Sequence, residues 1–272
     1  MTGPDSLVAR LRTAGCVHAE DEAAALREEY GSGAPLEAAV ARRVDGEPLE
    51  HVLGHAWFAG QRITVRPGVF VPRVRAEPLA RLAVVATLAA AEPTTVVDLG
   101  CGSGAIAAVV AARAPSARVL AVDTDEAAVE CAAANAQVWD FETAQGDWLA
   151  AAPAELQGSV DVVVTYLPHV PTDRVPTLPQ DWLRHERRAS VDGGTDGLEP
   201  LRQVLDQLDD WLCVDGLLLT LVAYHQLEAA AGLAEQAEWS TAYGAADGDG
   251  LLAIGRPGQP ALLRSLVGSA TG

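Results

Sequence analysis

Apolar positions recur along the chain with two different periods, and the change of period divides it. Over residues 6–43 they fall at helical spacing, with Leu7, Leu11 and Ala14 followed by Ala23, Ala24 and Leu26. Gly31-Ser32-Gly33-Ala34-Pro35 breaks this run, and residues 36–44 resume it as a short helix rich in Ala and Arg. Asp45-Gly46-Glu47-Pro48 reads as a turn. Residues 62–66 and 69–71 then read as two paired strands, with Pro67-Gly68 as the hairpin turn. From Thr95 onward short β-branched runs alternate with helical stretches. The runs are residues 95–97, 119–122, 142–144, 160–165 and 217–222, and one of the helices between them is residues 201–212. Residues 239–243 and 251–255 read as a closing antiparallel pair, with residues 257–272 as a tail. The expected fold is α/β, a parallel sheet wrapped by helices. The expected organisation is a helical domain over 1–45, a hairpin linker over 46–78, a sheet domain over 79–257 and a tail over 258–272.

Composition narrows the function classes. The chain of 272 residues has a mean hydropathy of +0.13 and a formal net charge of −18, from 19 basic and 37 acidic side chains. Every basic residue other than histidine is arginine. Such a charge repels nucleic acid, so the balance favours protein or small-molecule partners. No apolar run is long enough to cross a bilayer, and Met1-Thr2-Gly3-Pro4-Asp5 lacks the basic start and apolar core of a signal peptide. Cys16, Cys101, Cys131 and Cys213 show no CxxC spacing, which argues against a metal site or disulfide framework and fits a reducing cytoplasm. His51 and His55 would share one helix face, but with no third ligand nearby they do not make a metal site.

The chemistry concentrates in Asp98-Leu99-Gly100-Cys101-Gly102-Ser103-Gly104, between a strand and an Ala-rich helix. Glycines there let the backbone turn tightly beside a ligand, at a helix start whose first N–H groups lack partners. About 20 residues on, the next apolar run ends in Asp123, where a carboxylate accepts both hydroxyls of a ribose. With Ala105 in third place the turn also satisfies the dinucleotide pattern, so a nicotinamide-dependent oxidoreductase is one reading. Asp98 argues against it: a carboxylate just before the first glycine repels a pyrophosphate and suits a ligand with a positive amino group. The strand, turn and helix therefore resemble the S-adenosyl-L-methionine site of class I methyltransferases. Cys101 reads as a small residue fitted into the turn rather than a nucleophile.

A wider resemblance runs from about residue 42 to about residue 222. Gly46-Glu47-Pro48, Gly54, Phe58, Val65, Pro72-Arg73 and Glu77, the glycine turn, Asp123, Asn135 and Gly146-Asp147-Trp148 resemble, in order, the HemK/PrmC family. Those enzymes methylate the glutamine amide of peptide-chain release factors. The resemblance implies a Rossmann-like class I methyltransferase sheet with a small helical domain and a hairpin linker. It implies S-adenosyl-L-methionine as cofactor, held by Asp98, Gly100, Cys101, Gly102, Asp123, Asp147, Trp148 and Tyr166. Residues 186–198 resemble the family's lid segment, with Arg187 where the family has Pro, and Arg184, His185, Arg187 and Arg188 form a basic patch there.

Two departures change the picture. Val74 and Arg75 replace a Pro and an acidic residue of the family pattern. Tyr166-Leu167-Pro168-His169 replaces Asn-Pro-Pro-Tyr, whose Asn holds the NH₂ of the acceptor amide. Asn135, the only asparagine, lies on another helix. Tyr166 cannot reproduce amide hydrogen-bond geometry, whereas His169 can act as a base or stack on an acceptor. Tyr166 and His169 are therefore the expected catalytic residues, and Arg73, Tyr166, Leu167, Pro168 and His169 the expected acceptor side. Three outcomes are open: an altered acceptor with a nitrogen or oxygen nucleophile, retained release-factor glutamine methylation, or cofactor binding without catalysis.

Overall fold

The computed structural model describes residues 4–246 and 248–271. Residues 1–3, read above for a leader, lie outside them. Helices α1 (Pro4–Thr13), α2 (Ala19–Tyr30), α3 (Ala34–Val44) and the short α4 (Leu49–Leu53) share one small core of Leu7, Leu11, Leu26, Leu36, Val40 and Val52. Helix α4 falls in the stretch read as linker, and packs with the helices before it. His51 lies in α4 while His55 opens the next strand, so they share no helix face.

The hairpin is displaced from its expected place. Strands β1 (His55–Phe58) and β2 (Gln61–Thr64) pair antiparallel around Ala59-Gly60, whose φ values of 48° and 83° make the tight left-handed turn that suits a twisted ribbon. Residues 67–71 form no strand. Pro67 has no N–H to give a ladder, and the Val69 N–H turns back to the Arg66 carbonyl at 3.1 Å. Glu77, at the head of α5 (Glu77–Ala89), accepts from the Ala59 N–H at 2.9 Å and pins the hairpin to the larger domain.

That domain is built on β3 (Thr95–Leu99), α6 (Ala105–Arg113), β4 (Arg118–Asp123), α7 (Glu126–Trp139), β5 (Glu142–Gln145), β6 (Val160–Thr165), α8 (Gln180–His185), α9 (Glu199–Trp211), β7 (Leu212–Ala223), α10 (Leu227–Gln236), β8 (Ser240–Ala246), β9 (Asp249–Gly255) and α11 (Pro260–Thr271). The seven strands run in the order β5-β4-β3-β6-β7-β9-β8, with β9 alone running against the others. Alternate strand residues feed two cores. Val96, Val162, Val164 and Leu219 pack with α5, α6 and α11, while Val97, Leu99, Val163 and Leu218 pack with α9 and α10. Each such side chain taken from water contributes about 1.5–3 kcal/mol. The chain reverses direction across the sheet between β3 and β6, the switch point where open α/β sheets take ligands at their carboxyl edge.

Two further expectations are corrected. Residues 260–271 form α11 rather than a tail, because Leu263, Leu266 and Val267 fall on one helical face and bury against the sheet domain. β7 begins at Leu212, ahead of the run read at 217–222, so Cys213-Val214-Asp215-Gly216 lie within it. The register slips opposite Val160 and Val162, and β6 approaches so closely that a Cβ on Gly216 would meet the Val160 carbonyl at 2.6 Å. Residues 176–182, ahead of the segment that resembles a lid, carry part of a single-turn helix (Val175–Thr177) and the start of α8.

Candidate active site

The turn between β3 and α6 opens on a cleft of about 720 Å³ lined by Gly100, Gly102, Asp123, Trp148, Tyr166 and Pro168. Gly100 and Gly102 hold φ of 64° and 55°, and a Cβ there would meet nothing closer than 3.8 Å, so their bare backbone faces open space. Gly104 differs: a Cβ would lie 2.9 Å from the Phe141 ring, so glycine there serves packing.

Asp123, at the end of β4, is held in place by main-chain donors. Its Oδ2 accepts from the Gly102 N–H at 2.9 Å and its Oδ1 from the Asp125 N–H at 3.0 Å. Burial raises its pKa against main-chain hydrogen bonds from Asp125, Gly102 and Thr124, and the residue lines the cleft. Trp148, at a left-handed φ of 48°, lines the cleft while its indole N–H donates to the Gln203 Oε1 of α9 at 2.9 Å. Asp147 does not join it: the side chain is exposed, and Gly146 and Trp148 on either side line the cleft instead.

Asp98 is 2 % exposed, with Oδ2 accepting from the Ala107 N–H at 3.0 Å. Burial pushes it up to about 7, the Ala107 hydrogen bond opposes that, and the charge of Asp123 adds to it. It lines a smaller pocket with Cys101, Ser103, Phe70, Arg73 and Tyr166, on the other side of the glycine turn. The Ser103 hydroxyl there is buried without a protein partner. Burial drives the Cys101 thiol well above its ordinary range, which makes it a poor nucleophile. A nucleoside-sized cleft with a fixed carboxylate and an indole, sharing Phe70, Gly100, Gly102 and Tyr166 with a small pocket that holds a buried acid, fits S-adenosyl-L-methionine.

Asn135 is a structural joint. Its Oδ1 accepts from the Thr64 N–H at 2.8 Å, and its Nδ2 donates to the Thr64 and Ser103 carbonyls at 2.9 and 2.8 Å. One buried amide thus ties hairpin, glycine turn and α7 together, as a fully satisfied buried polar group can.

The acceptor side follows β6. Tyr166 is mostly buried, and burial raises its hydroxyl to about 12, so it stays protonated. Its ring meets Phe70 edge-on at 6.2 Å and His169 at 5.5 Å. His169 Nδ1 faces the Leu167 carbonyl at 2.9 Å, and since a carbonyl only accepts, Nδ1 carries the proton and Nε2 the lone pair. Burial holds His169 below its ordinary range, chiefly outweighing the Leu167 hydrogen bond, so the neutral form prevails at neutral pH. Leu167 departs from its expected role: its side chain is 3 % exposed and turned into the core.

The lid is anchored to this motif. Gln226 donates to the carbonyls of His169 (2.9 Å) and Asp196 (3.1 Å). A Cβ on Gly193 would lie 2.8 Å from the His169 Cα, and one on Gly197 would lie 2.3 Å from its carbonyl oxygen. Arg73, expected on the acceptor side, instead gives one nitrogen to both oxygens of Glu186 at 2.6 Å while its guanidinium lies 4.6 Å from the Phe70 ring centre. Two members of the expected basic patch are paired with acids, Arg187 with Asp125 and Arg188 with Asp192. Phe70, Gln203 and Gln226 carried no sequence signal, because their partners lie far away along the chain.

Among the described residues no three His, Cys, Asp or Glu gather as metal ligands, and no helix is long and apolar enough to cross a membrane. The Methyltransferase small domain family matches residues 61–194. The chain is 35% identical over 198 residues to a 4-amino-L-phenylalanine/4-methylamino-L-phenylalanine methyltransferase of Streptomyces pristinaespiralis, covering 71% of this chain and 67% of that protein. It is 37% identical over 201 residues to the release factor glutamine methyltransferase of Moorella thermoacetica, covering 72% and 69%. The crystal structure of a ribosomal protein L11 methylase from Lactobacillus delbrueckii subsp. bulgaricus superposes with a TM-score of 0.51 at 22% identity, covering 71% of this chain and 84% of that one, and shows the same fold.

Proposed function

The chain belongs to the HemK/PrmC-like family and is an S-adenosylmethionine-dependent methyltransferase, and from that premise we propose that it methylates a nitrogen or oxygen nucleophile of a small aromatic molecule. The observation that carries this is His169, whose Nδ1 is committed to the Leu167 carbonyl so that a neutral Nε2 is left to accept a proton beside Tyr166. An amide nitrogen has its lone pair delocalised and needs an orienting amide partner, which the motif here does not contain. An amine or hydroxyl needs instead somewhere for its proton to go. Phe70 and Tyr166 line the cleft and the His169 ring packs against Tyr166, an aromatic wall that suits a flat acceptor. The relative that acts on 4-amino-L-phenylalanine supports the same reading.

In this proposal the bound cofactor supplies a methyl group on a positive sulfur. Asp123 takes the ribose hydroxyls, Trp148 flanks the base, and Gly100 and Gly102 allow close backbone approach. Asp98, once ionised, offsets the ligand's positive charge. His169 accepts the acceptor's proton at Nε2, and the lid excludes water. Most of the rate comes from orientation in an enclosed site.

Methyl-labelled S-adenosylmethionine with the pure protein and fractionated extract tests this. Label in the small-molecule fraction is expected. Label in a protein of release-factor size would overturn the proposal in favour of glutamine methylation, and no transfer at all would leave a cofactor-binding protein.

A further inference from the structure

Two opposite charges stand beside the acceptor rings and take no part in the chemistry above. Arg75 lies in the single helical turn Val74–Ala76 that follows Arg73. Asp249 is the first residue of β9, and because β9 runs antiparallel to β7, it begins where β7 ends, with Asp249 opposite Ala223. The last hairpin of the sheet is thereby brought to the same carboxyl edge as Tyr166 and His169. Arg75 Nη1 lies 3.6 Å from Asp249 Oδ2. Both charges act on both rings: the Arg75 guanidinium and the Asp249 carboxylate pull the Tyr166 hydroxyl in opposite directions, and both also act on His169.

The geometry of this pair differs from that of its neighbour. Arg73 places one nitrogen 2.6 Å from each Glu186 oxygen, a closed contact. Arg75 and Asp249 are beyond hydrogen-bond distance of each other, so no directional bond locks them. The Arg75 side chain is 51% exposed while that of Asp249 is only 8% exposed. Arg75 is shared with the Tyr166 hydroxyl, and Asp249, with no hydrogen bond to Arg75, keeps a carboxylate oxygen that a second cation can meet. A half-exposed guanidinium presents a planar fork suited to a carboxylate.

We propose that Arg75 and Asp249 read the two ends of a zwitterion, so that the acceptor is a free α-amino acid with an aromatic side chain. Its carboxylate meets Arg75, its ammonium meets Asp249, and its ring lies along Phe70, Tyr166 and His169 toward the cofactor cleft. This rests on the small-molecule reading above and names the class within it. A glutamine inside a protein chain carries neither free terminus, so the pair also selects against release factors. A phosphate ester fits poorly, since its two negative charges would face Asp249.

The test uses the full chain loaded with S-adenosylhomocysteine and isothermal titration of three probes. They are 4-amino-L-phenylalanine, 4-aminophenethylamine, which lacks the carboxylate, and 3-(4-aminophenyl)propionic acid, which lacks the ammonium. The amino acid is expected to bind roughly tenfold or more tighter than either truncated probe. R75Q removes its advantage over the amine, and D249N removes its advantage over the acid. R75K keeps part of the first preference. Unchanged S-adenosylhomocysteine affinity in each variant shows that the fold is intact. Equal binding of all three probes, or preferences that survive R75Q and D249N, overturns the assignment while leaving a small-molecule acceptor standing. Binding of none of the three overturns both.

Discussion

The side-chain amide of Gln226 donates to the main-chain carbonyl of His169 at 2.9 Å, and the same nitrogen donates to the Asp196 carbonyl at 3.1 Å. Its Oε1 accepts from the Ala223 N–H at 3.2 Å. One buried side chain thus joins acceptor motif, lid and the end of β7. Q226A leaves those carbonyls without their donor and is expected to cost about 1–3 kcal/mol of stability. It should lower kcat more than cofactor affinity, because the glycine turn and Asp123 are untouched. Equal losses in kcat and in cofactor affinity would show that Gln226 acts only through the fold.

His169 is expected to set the acid limb of the rate profile. Its pKa is held below its usual 6.5 by burial, so the base is already neutral at pH 7 and activity falls only as pH drops below that value. H169Q should reduce kcat by about 10²-fold or more and abolish that limb, with cofactor affinity retained. A wild-type profile kept intact in H169Q would assign the base elsewhere.

Asp98 couples pH to stability and to cofactor binding with opposite signs. Its pKa rises from 3.8 to about 7 in the folded chain, so between these values the folded state holds a proton that the unfolded state has lost. Stability therefore declines as pH climbs from 3.8 toward 7, and the cost of the buried charge is fully present above it. D98N should raise the unfolding midpoint by several degrees at pH 8 and leave it nearly unchanged below pH 4. Cofactor affinity in the wild type should increase through pH 7, since an ionised Asp98 favours a positive ligand, and D98N should flatten that rise. Thermal unfolding at both pH values, with calorimetric binding, checks both signs.

Arg187 on the lid contacts Asp125 at the start of α7, and both residues line the cleft. This bridge joins two parts of the cleft wall, the segment before α9 and the head of α7. R187A should speed release of S-adenosylhomocysteine by roughly two- to fivefold, the scale of an exposed ion pair. Added salt should do the same to the wild type and not to the variant. Stopped-flow displacement measures both, and a salt response shared by the variant would rule the bridge out as a gate.

How far the sequence could be read depended on how local the determinants were. Strands β3, β4 and β6 were legible because each is a β-branched run bounded by glycine or acidic turns, and Asp98, Asp123 and Tyr166 come with them at the strand ends. The hairpin was misplaced because Pro67-Gly68 is a stronger turn signal than Ala59-Gly60, although Pro67 cannot donate to a ladder. Arg73 pointed to the acceptor because Glu186, its partner more than a hundred residues on, leaves no local trace. Leu167 and Asp147 were assigned by motif alone. Each stands one position away from a residue that lines the cleft, and strand-edge geometry turns one inward and the other out.

The antiparallel return of β9 separates two properties along the chain. Gly100, Gly102, Asp123 and Trp148, proposed to hold the cofactor, all precede β6, whereas Asp249 comes from the last strand, and α11 after it packs back against α5. During synthesis the pocket for the universal ligand is therefore encoded before the residue that discriminates among partners. The same division puts Asp249 on a different strand from Gly100, Gly102 and Asp123, so a change of charge at the final hairpin alters one edge of the sheet and leaves the glycine turn as it is.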